Sequence, residues 1–106
     1  MISYYELKRK RRYFNNWKRS PAGKEFIKRK YKEQNGKCAV SELRMFLPPK
    51  KSTISQKLFS KSALYWKMAT VDHIIPLSQG GKNETSNYRL VTRAVNMELS
   101  RFLRVL

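Results

Sequence analysis

A large excess of positive charge dominates this sequence. Its 106 residues include 24 lysines and arginines but only 7 acidic residues, a formal net charge of +17. A small fold with so much charge repels itself, which favours a polyanionic partner, most commonly nucleic acid and next an anionic membrane. Residues 1–35 hold 12 basic and 3 acidic side chains, whereas residues 71–106 hold 5 and 3. We therefore expect the first two thirds of the chain to bind the polyanion.

The length and the apolar content predict a single domain over residues 1–106, because a second core would leave both too small to be stable. No apolar run approaches the roughly 18 to 20 residues of a membrane helix, and no secretory signal is visible. The single cysteine, Cys38, excludes an internal disulfide. A reducing, cytoplasmic setting is the default expectation.

Two basic helices are predicted in the first third of the chain. Residues 3–18 contain good helix formers and a partial apolar face made by Tyr5, Tyr13, Phe14 and Trp17. Ser20-Pro21 then supplies a capping hydroxyl and a proline suited to the first turn of a new helix. That helix should run to about Gln34, where Asn35-Gly36 favours a left-handed end.

Structure in the middle of the chain is weakly predicted, and the last third is clearer. Residues 37–47 read as irregular, Pro48–Thr53 as a basic loop and Ile54–Trp66 as a short helix. Two strands are predicted at Ala69–Ile75 and Tyr88–Val91, and a helix begins after Thr92.

One small group of polar residues suggests chemistry. The only histidine, His73, follows Asp72 directly, Asn87 comes fourteen residues later and Asn96 nine after that. A strand, loop, strand and helix can converge these four side chains on one side of a small fold. Each also has a plainer interpretation: Asp72 could pair with an arginine, Asn87 could be a turn residue, and Asn96 could be exposed on its helix.

The pattern resembles the HNH endonuclease motif, including that of CRISPR effector nucleases. The resemblance rests on Val71-Asp72-His73-Ile74-Ile75-Pro76-Leu77-Ser78, Gly80-Gly81, Ser86-Asn87-Tyr88-Arg89-Leu90-Val91 and Asn96. Asn35-Gly36-Lys37-Cys38 also resembles the turn that precedes the first half-knuckle of many members.

The resemblance implies an α+β fold in which a hairpin and a helix surround one divalent metal, the ββα-metal architecture, with added basic N-terminal helices. It divides the domain into a DNA-binding extension (1–36), a basic loop region (37–68) and a catalytic motif (69–106). His73 would be the general base, and Asn87 would orient it or its loop. Asp72 and Asn96 would hold Mg²⁺ or Mn²⁺, which suit oxygen ligands.

The chain departs from many family members at the positions of their structural zinc. Two Cys-x-x-Cys pairs hold that zinc, whereas the corresponding positions here are Cys38, Ser41, Thr92 and Val95. With one thiolate of four, no structural zinc is expected. Apolar contacts of the last helix should stabilise the fold instead.

These inferences predict a DNA endonuclease, acting on duplex DNA and not on a membrane. One centre per chain would nick one strand, whereas a double-strand break needs a homodimer or a second event. By analogy, the small size suggests a bacterial or phage-encoded enzyme or one from a mobile element. The alternatives are a non-catalytic nucleic-acid-binding module and a cationic amphipathic protein on membranes. The residues expected to contact the phosphates are Lys8, Arg9, Lys10, Arg11, Arg12, Lys18, Arg19, Lys50, Lys51, Lys82 and Arg93.

Overall fold

A computed structural model describes residues 2–47 and 63–105 of the chain, with side chains through Arg101. These residues form helices and one antiparallel hairpin, which confirms the predicted α+β class. The elements are α1 (Tyr4–Arg19), α2 (Pro21–Glu33), β1 (Ala69–His73), β2 (Tyr88–Thr92) and α3 (Arg93–Val105). The loop predicted at Pro48–Thr53 and most of the helix predicted at Ile54–Trp66 lie outside the described residues. The last part of that prediction is a 3₁₀ turn, Ala63–Lys67.

The two N-terminal helices meet at a tight corner built around Ser20. Its hydroxyl accepts a hydrogen bond from the Gly23 N–H (3.1 Å) and donates one to the Trp17 carbonyl (2.6 Å), so one residue ends α1 and begins α2. A Cβ on Gly23 would clash with the Trp17 carbonyl oxygen. The corner therefore needs glycine at this position, and it confirms the break predicted from Ser20-Pro21.

After α2 the chain reverses through two residues in the left-handed region, as predicted. Asn35 has φ 55° and Gly36 has φ 69°. The following segment packs back on α2, where the Tyr31 hydroxyl donates to the Met45 carbonyl (2.9 Å). This segment remains irregular apart from two isolated bridges, one between Lys37 and Arg44 and one between Phe46 and Met68.

The hairpin pairs β1 and β2 in antiparallel register, with Ala69 opposite Thr92 at one end and His73 opposite Tyr88 at the other. The side chain of Gln34 covers the outer edge of β2. Its amide accepts from the Leu90 N–H (2.9 Å) and donates to the Leu90 carbonyl (3.0 Å). Polar groups of an edge strand are thereby satisfied by a side chain from the end of α2.

Helices and hairpin share one apolar core. An aromatic cluster joins α1 to the hairpin, with the Trp17 and Tyr88 ring centroids 4.9 Å apart. Tyr5 and Tyr13, which the sequence placed on the apolar face of α1, are instead exposed. The buried core residues are Phe14, Phe26, Cys38, Met45, Ala69, Val71, Tyr88, Leu90 and Val91. Within residues 2–47 and 63–105, no helix combines the length and apolarity that crossing a membrane requires.

Candidate active site

A cleft of about 580 Å³ lies at the carboxyl end of β1, lined by residues of α1, β1, α3 and the loop after β1. Asp72, His73 and Asn96 all line it. The structure thus brings together three of the four polar residues that the sequence singled out. The fourth, Asn87, lies directly before β2 and contacts the loop that follows His73.

Asp72 and His73 share this cleft although neighbours on a strand normally point to opposite faces. They are the last two residues of β1, and the cleft at this end of the strand touches both α1 and α3, so it reaches both side chains. The predicted continuation of the strand to Ile75 is wrong. The Ile75 N–H donates to the side chain of Asn87 (2.9 Å) and not to a main-chain carbonyl of β2.

His73 is held by an asparagine that the sequence analysis did not single out. The imidazole Nε2 lies 2.8 Å from Oδ1 of Asn83. The amide nitrogen of Asn83 donates in turn to the main-chain carbonyl of Lys10 in α1 (3.0 Å). Nothing local marks Asn83 in the sequence, because its partner in α1 lies 73 residues earlier.

Aromatic rings enclose the half-buried imidazole. The ring centroid of Phe14 is 4.2 Å from that of His73, and the centroid of Tyr88 is 5.1 Å away. This burial lowers the pKa of His73, while the hydrogen bond to Asn83 and the charge of Asp72 act in the opposite direction. The net direction favours a neutral imidazole, the form that accepts a proton.

Asp72 forms an ion pair across the hairpin with Arg89, its direct partner in the strand register. Arg89 Nε lies 3.0 Å from Oδ2, and the Asp72 side chain is 15% exposed. The structure therefore confirms the plainer interpretation, in which Asp72 pairs with an arginine. The same carboxylate nevertheless lines the cleft, and it carries a second oxygen, Oδ1.

The amide of Asn96 is oriented by the strand beside it. The Thr70 hydroxyl donates to the Val91 carbonyl (3.2 Å), which leaves the hydroxyl oxygen to accept from Nδ2 of Asn96 (3.3 Å). Because Nδ2 donates to Thr70, the amide oxygen is the atom of Asn96 that could serve as a metal ligand. The sequence had predicted this role only through the family resemblance.

The donor set at the cleft fits a hard divalent cation. It offers one carboxylate and one amide oxygen, the ligand types of Mg²⁺ and Mn²⁺. Among the residues that the structure describes, no group of three or more His, Cys, Asp and Glu could hold a metal. A cation held by Asp72 and Asn96 would complete its shell with water and substrate oxygens, as Mg²⁺ commonly does.

Asn87 ties together the two ends of the loop between the strands. Its Oδ1 accepts from the Ile75 N–H, and its Nδ2 donates to the carbonyls of Ile75 and Lys82, both at 3.0 Å. A Cβ on Gly81 would clash with the Ile75 carbonyl oxygen, so the loop is closely packed here. The direct contact to the imidazole belongs to Asn83, and Asn87 contacts the loop.

The predicted phosphate-binding residues differ in their surroundings. Lys8, Arg9, Arg11, Arg12, Arg19 and Lys82 are exposed, and Arg11 lines the cleft. Lys18 packs on Phe14, 4.7 Å from the ring centroid; burial lowers its pKa, and Arg19 and Arg93 add to this effect. Arg93 stacks on Tyr65 at 4.4 Å. Lys50 and Lys51 lie outside the described residues.

At the opposite end of the hairpin lie the positions that the resemblance aligned with the zinc ligands of many HNH members, and of these Cys38 and Thr92 are buried whereas Ser41 is exposed. Cys38 Sγ accepts from the main-chain N–H of Thr92 (3.4 Å) and of Ser41 (3.5 Å). The Thr92 hydroxyl accepts from the Val95 N–H (3.2 Å), as expected for the helix cap predicted there. Two short turns are thus joined through one sulfur atom.

Comparison with known proteins agrees with this geometry. The HNH endonuclease family model matches residues 56–94. The match covers Asp72, His73 and Asn87, ends two residues before Asn96, and confirms the resemblance over that stretch. The family is one of nucleases. No curated protein and no solved structure matches the chain.

Proposed function

We propose that this protein is a metal-dependent endonuclease that hydrolyses phosphodiester bonds in duplex DNA. One observation carries the proposal: Asp72, His73 and Asn96 line a single cleft, and a strongly basic helix forms part of its wall. A general base beside two oxygen ligands and a cationic surface is the combination that phosphodiester hydrolysis requires.

In this proposal His73 accepts the proton of the attacking water, because the surrounding rings favour its neutral form. Asp72 and Asn96 hold Mg²⁺ or Mn²⁺, which when bound supplies positive charge at the phosphate and at the leaving oxygen. Asn87 keeps the loop after His73 in place through its three main-chain hydrogen bonds. The products carry 5′-phosphate and 3′-hydroxyl ends, by the family resemblance.

Duplex DNA is the proposed substrate because of the charge distribution. The first 35 residues carry 12 basic side chains, and α1 brings Arg11 to the cleft itself. Contacts from these residues would position the backbone without reading its sequence. A monomer with one such centre would nick one strand, and a second chain or a second event would be needed to break both.

The test compares wild type with His73→Ala on supercoiled plasmid, with Mg²⁺, Mn²⁺ or EDTA. Wild type should nick the plasmid with either cation and not in EDTA. His73→Ala should lower the rate by about 10²- to 10⁴-fold, the usual contribution of a general base. Binding to a fluorescent duplex should stay nearly unchanged, because the cations that carry affinity are intact.

Three results would count against the proposal. Cleavage by His73→Ala at the wild-type rate would remove His73 from the role of base. Tight duplex binding by wild type without any cation-dependent cleavage would favour the non-catalytic nucleic-acid-binding module. Binding to anionic vesicles in place of DNA would favour the membrane alternative.

A further inference from the structure

We propose that Asn83 is a positioning residue of this site, whose amide links α1 to His73 and fixes which imidazole nitrogen carries the proton. The catalytic meaning rests on the proposed function of His73. The tautomer itself follows from hydrogen-bond geometry and can be tested without any cleavage assay.

The main-chain carbonyl of Lys10 can only accept hydrogen bonds. The Asn83 amide therefore directs its nitrogen there, at 3.0 Å, and its oxygen toward His73. An amide oxygen also only accepts, so the imidazole atom 2.8 Å away, Nε2, must carry the hydrogen. In the neutral ring, Nδ1 is then left with the lone pair that can take a proton.

Surrounding contacts hold the ring and the amide in this arrangement. The Tyr88 hydroxyl lies 3.4 Å from the same Asn83 oxygen, and burial raises the pKa of Tyr88 to about 12, so it stays a donor. The Phe14 ring packs on the imidazole with centroids 4.2 Å apart. Asn83 oxygen thus accepts from two side chains, which is within the capacity of its two lone pairs.

This arrangement gives α1 a second role besides binding phosphate. The link to Asn83 uses the carbonyl of Lys10 and not its ammonium group. Replacing the Lys10 side chain should therefore weaken DNA binding while the tautomer of His73 stays unchanged. Asn83 variants should change the tautomer of His73 while DNA binding stays nearly unchanged.

The experiment is ¹⁵N NMR of the imidazole in the full-length protein at pH 8 without divalent cations. The chain has one histidine, so the imidazole signals belong to His73, and couplings to Hδ2 and Hε1 distinguish Nε2 from Nδ1. Wild type should show a protonated Nε2 and a bare Nδ1, whereas Asn83→Ala should show a shift toward a mixture of tautomers. Asn16→Ala, an exposed asparagine of α1, and Lys10→Ala are the controls, and both should match wild type.

Cleavage kinetics supply the second readout. Asn83→Ala should reduce kcat by about 10- to 100-fold, the typical cost of losing a partner that orients a functional histidine, with KM for duplex nearly unchanged. Asn83→Asp keeps an acceptor for Nε2–H and should retain the wild-type tautomer. If Asn83→Ala does not fold, as judged by circular dichroism, Asn83→Gln displaces the amide by one methylene and takes its place.

Either of two spectra would overturn the inference: protonation at Nδ1 in wild type, or a variant spectrum with the same single tautomer as wild type. A wild-type spectrum with Nε2–H in a protein that never cleaves DNA would have a different meaning. The proposed function would then fail, while the link between α1 and the imidazole would stand.

Discussion

The two ends of the hairpin use hydrogen bonds in different ways. We call the Ala69–Thr92 end the closed end because it is buried, and the His73–Tyr88 end, which carries the connecting loop, the open end because it borders the cleft. At the closed end, the sulfur of Cys38 is bonded to main-chain N–H groups and lies in the apolar core. At the open end, where His73 pairs with Tyr88, the loop residue Asn83 is bonded to both of these side chains and to the main chain of α1. The two arrangements are separated by only five residue pairs of the hairpin.

Only one of the four positions that the resemblance aligned with the zinc thiolates of many HNH members holds a cysteine. Hydrogen bonds to Cys38 stabilise the closed end, and the buried side chains of Leu90 and Val91 belong to the core beside it. The side chains of Asp72, His73 and Asn96 line the cleft and are only partly buried. Substitutions of core residues and of Cys38 should therefore change stability, and those of the polar residues that line the cleft should change activity.

The largest expected effect is on stability, at Leu90 in the middle of β2. Leu90 is fully buried, and Leu90→Ala should lower the free energy of unfolding by about 2 to 5 kcal/mol, measured by urea denaturation. Leu43→Ala is the matched control, because Leu43 is 67% exposed and its loss should cost less than about 0.5 kcal/mol. Equal effects of the two variants would contradict the position of the core.

Asn96→Ala at the open end should leave stability nearly unchanged and reduce cleavage. Loss of a metal ligand should slow plasmid nicking at limiting Mg²⁺ by about 100-fold, which corresponds to roughly 3 kcal/mol. More Mg²⁺ should recover part of the rate. Glu98→Ala, at an exposed position two residues further along α3, should cleave like wild type. A fully active Asn96→Ala would exclude Asn96 as a ligand.

Tyr88, behind His73, should make the fold sensitive to alkali. Burial raises its pKa from 10.0 to about 12, so its stabilising contribution is complete below pH 10 and is lost as the pH rises through 12. The loss should approach about 2 to 3 kcal/mol. Unfolding of wild type and Tyr88→Phe should be compared at pH 8, 10, 11 and 12. Parallel decline of both proteins would contradict the burial of this hydroxyl.

A smaller effect is expected at Cys38. Cys38→Ala leaves the buried N–H of Thr92 without its sulfur acceptor and should cost about 1 to 3 kcal/mol of stability, with no loss of specific cleavage rate. Val40→Ala, at a position that is 46% exposed, is the control and should be close to neutral. Loss of cleavage in a folded Cys38→Ala would show that the two ends are not separate.

Much of the fold follows from local signals in the sequence. Ser20-Pro21 and Asn35-Gly36 predicted the ends of α1 and α2 because capping and left-handed turns depend on few neighbouring residues. The end of β1 was predicted wrongly, because β-branched Ile74 and Ile75 favour a strand and the competing Asn87 side chain acts from twelve residues away. The exposure of Tyr5 and Tyr13 depends on packing that periodicity does not reveal.

The site was only partly predictable for the same reason. Asp72, His73 and Asn96 were chosen by residue type and spacing, and the structure places them in one cleft. Asn83 and Arg89 were missed. In the sequence, Asn83 looks like any other loop asparagine, because its partner lies in α1. Arg89 is identified as the partner of Asp72 only by the strand register.

The most direct test of the difference between the two ends is to measure thermal stability and plasmid cleavage on the same chelated sample. Our account predicts that EDTA abolishes cleavage but leaves the thermal midpoint almost unchanged, and that Mg²⁺ or Mn²⁺ restores cleavage. An exchangeable ion at the open end, and no metal needed for folding at the closed end, together give this result. A fall in midpoint of many degrees with EDTA, stoichiometric zinc in the purified protein, or cleavage that persists in EDTA would contradict it.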